Sequence, residues 1–205
     1  MKTPKLNVLL IDDQPERIST LRQALDRLGH KVVSQLPSAS GLSSHVERSK
    51  PDIVIIDMDS PDRDTLESMA AMSQNHPRPI VFFAEQEQNA SNISAAINAG
   101  VSAYIADGLQ ADRVRPIIET AIAHFNSYQQ LRTELERTRD KLNERKVVEK
   151  AKGLLMKQHG CDEDQAYSIL RNLAMDRSQK LVDVASNVID ILELTAGKTD
   201  SRTKR

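Results

Sequence analysis

The sequence predicts a doubly wound α/β domain of five parallel strands, followed by a long helix and a small three-helix bundle. Two observations carry that reading. Five short apolar runs in the first 106 residues alternate with helix-length segments. From Ala111 onward no strand pattern occurs, and apolar residues recur instead at three- and four-residue spacing. Alternating β and α segments imply a parallel sheet with helices on both faces, and the right-handed crossover makes the doubly wound topology the simplest.

Leu6–Ile11 is an apolar run of the kind a buried parallel strand shows, and it ends in Asp12-Asp13. Ile18, Leu21, Leu25 and Leu28 then recur at helical spacing before Gly29. Lys31–Gln35 reads as the second strand, and Asp52–Asp57 as the third, with Pro51 where a strand can begin. Pro79–Ala84 and Ser102–Ala106 complete the five, with helices expected over 38–48, 62–75 and 89–99. Val114, Ile117, Ala121, Tyr128, Leu131, Leu135 and Leu142 then fall on one heptad stripe, interrupted by His124 and Thr138. A long helix with so narrow a seam finds stability by pairing in a coiled coil, so Leu131, Leu135 and Leu142 are expected at a homodimer seam. The alternative is a solvated linker helix packed on its own domain.

Three shorter helices are expected beyond it. Lys146–Gln158 carries Val147, Val148, Ala151, Leu154 and Leu155, and is stopped by His159-Gly160. Asp162 with Gln165 has capping-box spacing before a second helix with Ala166, Ile169, Leu170 and Leu173 inward. Ser178 can cap a third helix whose inward stripe is Leu181, Val184, Ala185, Val188, Ile189 and Leu192. Ala151, Gly153 and Ala174 read as close-packing positions, and Met156 and Met175 as core. The organisation is then 1–125 as the α/β domain, 126–143 as the coiled-coil linker, 144–193 as the bundle and 194–205 as a disordered tail.

Composition narrows function. The chain has 205 residues, 28 basic and 29 acidic, a formal charge of −1 and 39% hydrophobic residues. Residues 1–110 hold 10 basic and 14 acidic residues, whereas 111–205 hold 18 and 15. No apolar run approaches the ~20 residues of a membrane helix, and no signal-peptide pattern precedes the first strand, so a cytoplasmic protein without a membrane partner is expected. One cysteine, Cys161, permits neither an internal disulfide nor a cysteine-cluster metal site. His30, His45, His76, His124 and His159 show no ligand spacing and no nucleophile elbow accompanies them, so an enzyme is not expected.

Two places can carry chemistry. In a doubly wound sheet the functional crevice lies at the carboxyl ends of the strands. Asp12, Asp13 and Asp57 converge there in a 2-1-3-4-5 order, as a cluster suited to a hard cation such as Mg2+; the alternative is that some of them cap helices or face water. In the second half, residues 141–180 hold nine basic and six acidic residues. Arg145, Lys146, Lys150, Lys152, Lys157 and Arg171 can form a cationic face, with Tyr167 free to stack on an unpaired RNA base. The alternative is a solvated helix face and a half-buried tyrosine.

Ile11-Asp12-Asp13, Asp57 after Ile53–Ile56, and Ala99-Gly100-Val101-Ser102-Ala103-Tyr104 resemble the receiver domain of two-component response regulators, over about residues 5–125. The resemblance implies a flavodoxin-like fold, Mg2+ at the acidic residues as an optional ligand, and Asp57 as the phosphoacceptor. Two departures stand out. Receivers carry Ser or Thr at the end of strand four, where this chain has Ala84 followed by Glu85, and Lys at the end of strand five, where it has Asp107. Losing an ammonium and adding a carboxylate both disfavour a phosphoaspartate, so the receiver reads as degenerate.

The segment from Leu142 through Glu149-Lys150-Ala151-Lys152-Gly153-Leu154-Leu155-Met156, then Ala166-Tyr167, Leu170-Arg171, Ala174-Met175 and Leu181 to Ala185, resembles the ANTAR domain over roughly 135–192. That module binds RNA in transcription antitermination regulators of the amidase and nitrate-assimilation type. The implied function is to grip a leader-RNA hairpin so that RNA polymerase passes a terminator. Val101–Leu109, with Asp107-Gly108, most resembles the nitrate/nitrite-assimilation type, whose regulators are held inactive by a ligand-sensing protein. A phosphorylation-dependent DNA-binding response regulator is the alternative. It would need a recognition helix rich in Arg, Asn and Gln, whereas the third helix offers Asp183, Asp190 and Glu193 outward.

Overall fold

The structure, a computed structural model, describes residues 4–13, 15–84, 90–106 and 110–199. Glu85 and Asp107, singled out above, lie outside the described residues. Two compact units divide between residues 130 and 131.

The first unit is the expected α/β domain. Its elements run β1 (Asn7–Asp12), α1 (Pro15–Leu28), β2 (Lys31–Leu36), α2 (Leu42–Ser49), β3 (Ile53–Asp57), α3 (Arg63–Asn75), β4 (Ile80–Phe83), α4 (Ala90–Asn98), β5 (Ala103–Ile105) and the first part of α5 (Val114–His159). The sheet order is β2-β1-β3-β4-β5 with every pair parallel. Successive strand residues face opposite sides, and both sides are apolar because helices cover both. Leu9, Ile11, Val54, Ile56 and Phe82 pack with Leu42, Val46, Met69, Met72 and Ala96. Val8, Leu10, Ile55, Val81 and Phe83 pack on the other side with Leu21, Leu25, Val114, Ile118 and Ala121.

The second helix begins four residues later than expected, because Gly41 takes a left-handed φ of 68° at the N-cap position. Gly100 closes the α4–β5 turn at φ 101°, and the Ser73 side chain occupies the place of a Cβ, its own Cβ lying 2.7 Å from that point. No L-residue other than glycine combines that angle with that space.

Helix α5 is 46 residues long and unbroken. The expected linker and the first bundle helix are therefore one element: Asn143-Glu144-Arg145-Lys146 contains nothing that stops a helix, and the first stop is Gly160 at φ 65°. The expected seam also divides. Val114 and Ala121 are buried in the α/β core, whereas Tyr128, Leu131, Leu135 and Leu142 are exposed.

In the second unit α5 is joined by α6 (Glu163–Asp176) and α7 (Leu181–Thr199). Ala151, Leu155, Ala166, Leu170, Val184, Ala185 and Ile189 form the core, flanked by half-buried Val147, Val148, Leu154, Leu173, Leu181, Val188 and Leu192. The Asp162–Gln165 capping box is formed. The Asp162 carboxylate accepts from the Gln165 backbone N–H at 2.8 Å, and the Gln165 side chain accepts from the Asp162 N–H at 3.2 Å.

Four expectations for this unit are corrected. Ser178 does not cap α7 but ends α6: at φ 50° it donates its N–H to Met175, while Gln179 donates to Ala174, a Schellman closure built without glycine. Met156 on α5 and Ile169 and Met175 on α6 are exposed, because each points away from the face its helix packs against the core. Gly153 is exposed with nothing within 4 Å of a Cβ, so it is no close-packing position. Residues 194–199 continue α7 rather than begin a disordered tail, and 200–205 lie outside the described residues. Among the described residues no helix is long and apolar enough to cross a membrane.

Candidate functional site

At the carboxyl edge of the sheet, β1 and β3 end in directly paired aspartates, Asp12 opposite Asp57. Their exposures are 3% and 2%, so two carboxylates lie side by side and buried. Asp13, past the strand end, is exposed. Among the described residues no group of three or more His, Cys, Asp or Glu side chains is placed to hold a metal ion. The expected three-carboxylate cluster is thus a buried pair plus an outlying residue, because the strand holds Asp12 in the sheet and the bend after it turns Asp13 to solvent. Mg2+ is commonly held by one or two carboxylates with water and phosphate oxygens, so the Asp12–Asp57 pair is a fitting donor set for it. Ala84, the residue after β4, is fully buried in the hydrophobic core and carries only a methyl group.

The second candidate lies in the helical unit. Lys141, Glu144, Arg145, Val148 and Glu149 of α5, Tyr167 of α6, Lys180, Leu181 and Val182 line an open groove of about 690 Å³. Tyr167 is 42% exposed, half packed and half available to a planar ligand. Lys141 and Arg145 stand one helical turn apart on the same face, and Lys180 faces them from the start of α7. Among the described residues, Lys141, Arg145 and Lys180 enter no ion pair, so their charge is available to an anion.

The remaining basic residues divide. Lys146, Lys157 and Arg171 are exposed but do not line the groove. Lys150 is engaged with Glu193 of α7 at 2.6 Å. Lys152 is drawn into the protein: its side chain is only 9% exposed, and its Nζ lies 2.8 Å from Glu149 and 2.6 Å from Glu163. The Glu149 carboxylate, then that of Glu163, holds the Lys152 ammonium above its ordinary range, and Lys152 in turn holds Glu163 below its own. Lys152, expected on the cationic face, is therefore a strut tying the start of α6 to α5. Lys141 and Lys180, in contrast, carry no site role in the sequence reading. Lys141 was within reach of it, four residues before Arg145, whereas Lys180 joins the groove only through the folding of α7.

Comparison with known proteins agrees with this division. The response regulator receiver domain matches residues 8–119, and the ANTAR domain matches 136–189. Solved receiver domains share the fold of the first unit. That of a modulated diguanylate cyclase from Desulfovibrio desulfuricans G20 superposes with TM-score 0.53 at 24% identity, covering 61% of this chain and 99% of that one. The fold and acidic edge define a receiver-type regulator, and with its helical unit the chain belongs to the ANTAR-domain response regulators, a class of RNA-binding antitermination regulators. It is 30% identical over 185 residues to the transcriptional regulatory protein PdtaR of Mycobacterium tuberculosis, spanning 90% of both chains. It is 23% identical to the aliphatic amidase regulator of Pseudomonas aeruginosa, across 90% of this chain and 91% of that one. A 66-residue stretch is 42% identical to the nitrate regulatory protein of Klebsiella oxytoca, covering 32% of this chain and 17% of that protein.

Proposed function

We propose that the chain binds an RNA hairpin in leader transcripts through the α5–α6–α7 groove, letting RNA polymerase pass a terminator ahead of nitrate- or nitrite-assimilation genes. The observation that carries it is the groove itself: Lys141, Arg145 and Lys180 unpaired around a half-exposed Tyr167. Cations without partners attract phosphates, and an exposed aromatic ring stacks on a loop base that has left its helix. The acidic outward face of α7, with Asp183, Asp190 and Glu193 all exposed, disfavours insertion into a DNA major groove. The nitrate assignment is supported by the Val101–Leu109 resemblance and by the 42% identity with the nitrate regulatory protein. A ligand-sensing protein that masks the helical unit is the controlling partner, and RNA polymerase is affected indirectly.

The test is a gel shift of the full chain with a leader stem-loop RNA against duplex DNA of the same sequence. RNA retention that falls steeply with salt, and by ~1–3 kcal/mol in Tyr167→Ala, supports the reading. Equal binding to the duplex supports the DNA-binding alternative instead. Induction of a terminator reporter by nitrate tests the finer assignment.

A further inference from the structure

Gly29, Gly41, Gly100 and Gly160 each take a φ between 65° and 101°, a backbone that favours glycine. Gly153 does not. It lies inside α5 with helical backbone, exposed, and a Cβ there would meet nothing within 4 Å. A glycine in a helix interior weakens the helix relative to alanine, so the fold itself has no use for one at this place. What the missing Cβ does provide is bare backbone that another molecule can approach closely.

The side chains around Gly153 select the chemistry of that molecule. Lys146, Gly153 and Lys157, seven and then four residues apart, form one exposed line on α5, on the far side from the core residues Val147, Ala151 and Leu155. Among the described residues neither lysine enters an ion pair. They stand ~16 Å apart along the helix axis. Lys150 borders the line but is engaged with Glu193. Glu149, one turn before Gly153, is turned to Lys152 on the groove side. Met156, one turn after it, is 37% exposed. The strip is thus cationic at both ends and apolar in the middle, where a thioether stands beside bare backbone. A protein helix packed there would bring apolar side chains against two free ammonium groups. A nucleotide strand matches the pattern, with phosphates on either side of a sugar and a base. An unpaired loop nucleotide shows its base face, which a duplex hides, and a thioether packs well on an aromatic ring.

We propose that Gly153 and Met156 form a shelf for one unpaired loop nucleotide of the RNA, its ribose against the bare backbone of Gly153 and its base against the Met156 thioether, with phosphates before and after it held by Lys146 and Lys157. None of these four residues lines the groove. The strand therefore runs from the groove across α5, and two nucleotides are held apart, one on Tyr167 and the other on the shelf. Lys146 and Lys157, which the groove leaves without a task, meet the same strand outside it. The shelf deepens the RNA-binding reading above and rests on it.

The experiment uses the full chain, isotope-labelled at its methionine methyl groups, and an RNA stem-loop selected on the wild-type chain. Met156→Leu identifies the Met156 signal in the NMR spectrum. On saturation with the RNA that signal should move upfield, as a methyl group over an aromatic base does, while those of the buried Met69 and Met72 stay in place. A Met156 signal that does not move overturns the shelf. Gly153→Ala should bind the stem-loop at least about threefold more weakly than wild type and Gly153→Gln at least about tenfold, although both residues form helix better than glycine. Melting temperatures at or above the wild-type value show that the loss is not unfolding. Lys146→Ala with Lys157→Ala should flatten the slope of log affinity against log salt by about 1.4, at ~0.7 for each single-strand phosphate released. Wild-type affinity in Gly153→Gln, with Tyr167→Ala still weakened, overturns the shelf and leaves the groove reading standing. Failure to select any stem-loop removes the RNA-binding reading and the shelf together.

Discussion

Lys152 lies seven residues after Arg145, hence at nearly the same angle around α5, and a helical projection puts both on one cationic face. The two have opposite environments because the start of α6 folds over the second and leaves the first open. Lys152→Met should therefore lower the melting temperature while the RNA affinity of the folded protein stays within about twofold of wild type; Arg145→Glu should do the reverse. A large affinity loss in a stable Lys152→Met protein would contradict the strut. His30 gives the same lesson for stability. It is 4% exposed, and its Nδ1 accepts the Leu6 N–H at 3.3 Å, a bond that only the neutral tautomer can take. Burial lowers its pKa below the ordinary 6.5, so the unfolded chain binds a proton where the folded chain does not. The His30 contribution is full above pH 6.5 and shrinks as pH falls below it. Urea midpoints measured from pH 7.5 to 5 should drop more steeply for wild type than for His30→Gln.

At the scale of elements, strands were the most legible part. Each of β1 to β5 falls within two residues of its expected span at either end, because apolar runs bounded by carboxylates, proline or glycine are a local signal. The helical unit was legible in its inward stripes and in the Asp162–Gln165 box, which depend on spacing within one segment. What failed needed a third dimension. Met156, Ile169 and Met175 are apolar yet exposed, since which side of a helix is covered depends on where the next helix lands. Ser178 failed for another reason: a residue type common at N-caps was placed instead at a left-handed helix end. Gly153 yields a direct test. With an exposed helix-interior position and nothing near its missing Cβ, Gly153→Ala should stabilise the unit by ~0.5–1 kcal/mol in denaturant unfolding. If RNA approaches the backbone closely there, the same variant should bind more weakly despite its greater stability.

For the molecule as a whole, the question is whether the receiver unit acts as a phosphorylation switch. A receiver switches because phosphoaspartate gains contacts in one state that it lacks in the other. Beyond β4 stands the buried methyl of Ala84, and the sequence has Asp107 in place of the strand-five lysine. A modification without differential contacts shifts nothing, however readily it forms. RNA affinity of the purified chain should thus be the same within about twofold with or without a small-molecule phosphodonor and Mg2+, and in Asp57→Asn. A tenfold gain that disappears in Asp57→Asn would show a working switch. Control by a masking protein partner predicts instead that the isolated chain binds RNA constitutively.

An unbroken α5 also acts as a ruler and a protractor. Each inserted residue lengthens a helix by ~1.5 Å and turns everything beyond it by ~100°. One alanine inserted after Thr133 should throw Leu135 and Leu142 off the line of Tyr128 and Leu131, and so abolish pairing along the expected seam without unfolding either unit. Seven residues inserted at the same point, chosen to repeat the spacing of Leu131 and Leu135, should restore it with the helix ~10 Å longer. Natural length variation in such a helix is therefore expected in steps of seven, a grammar of whole heptads written into a single stretch of backbone.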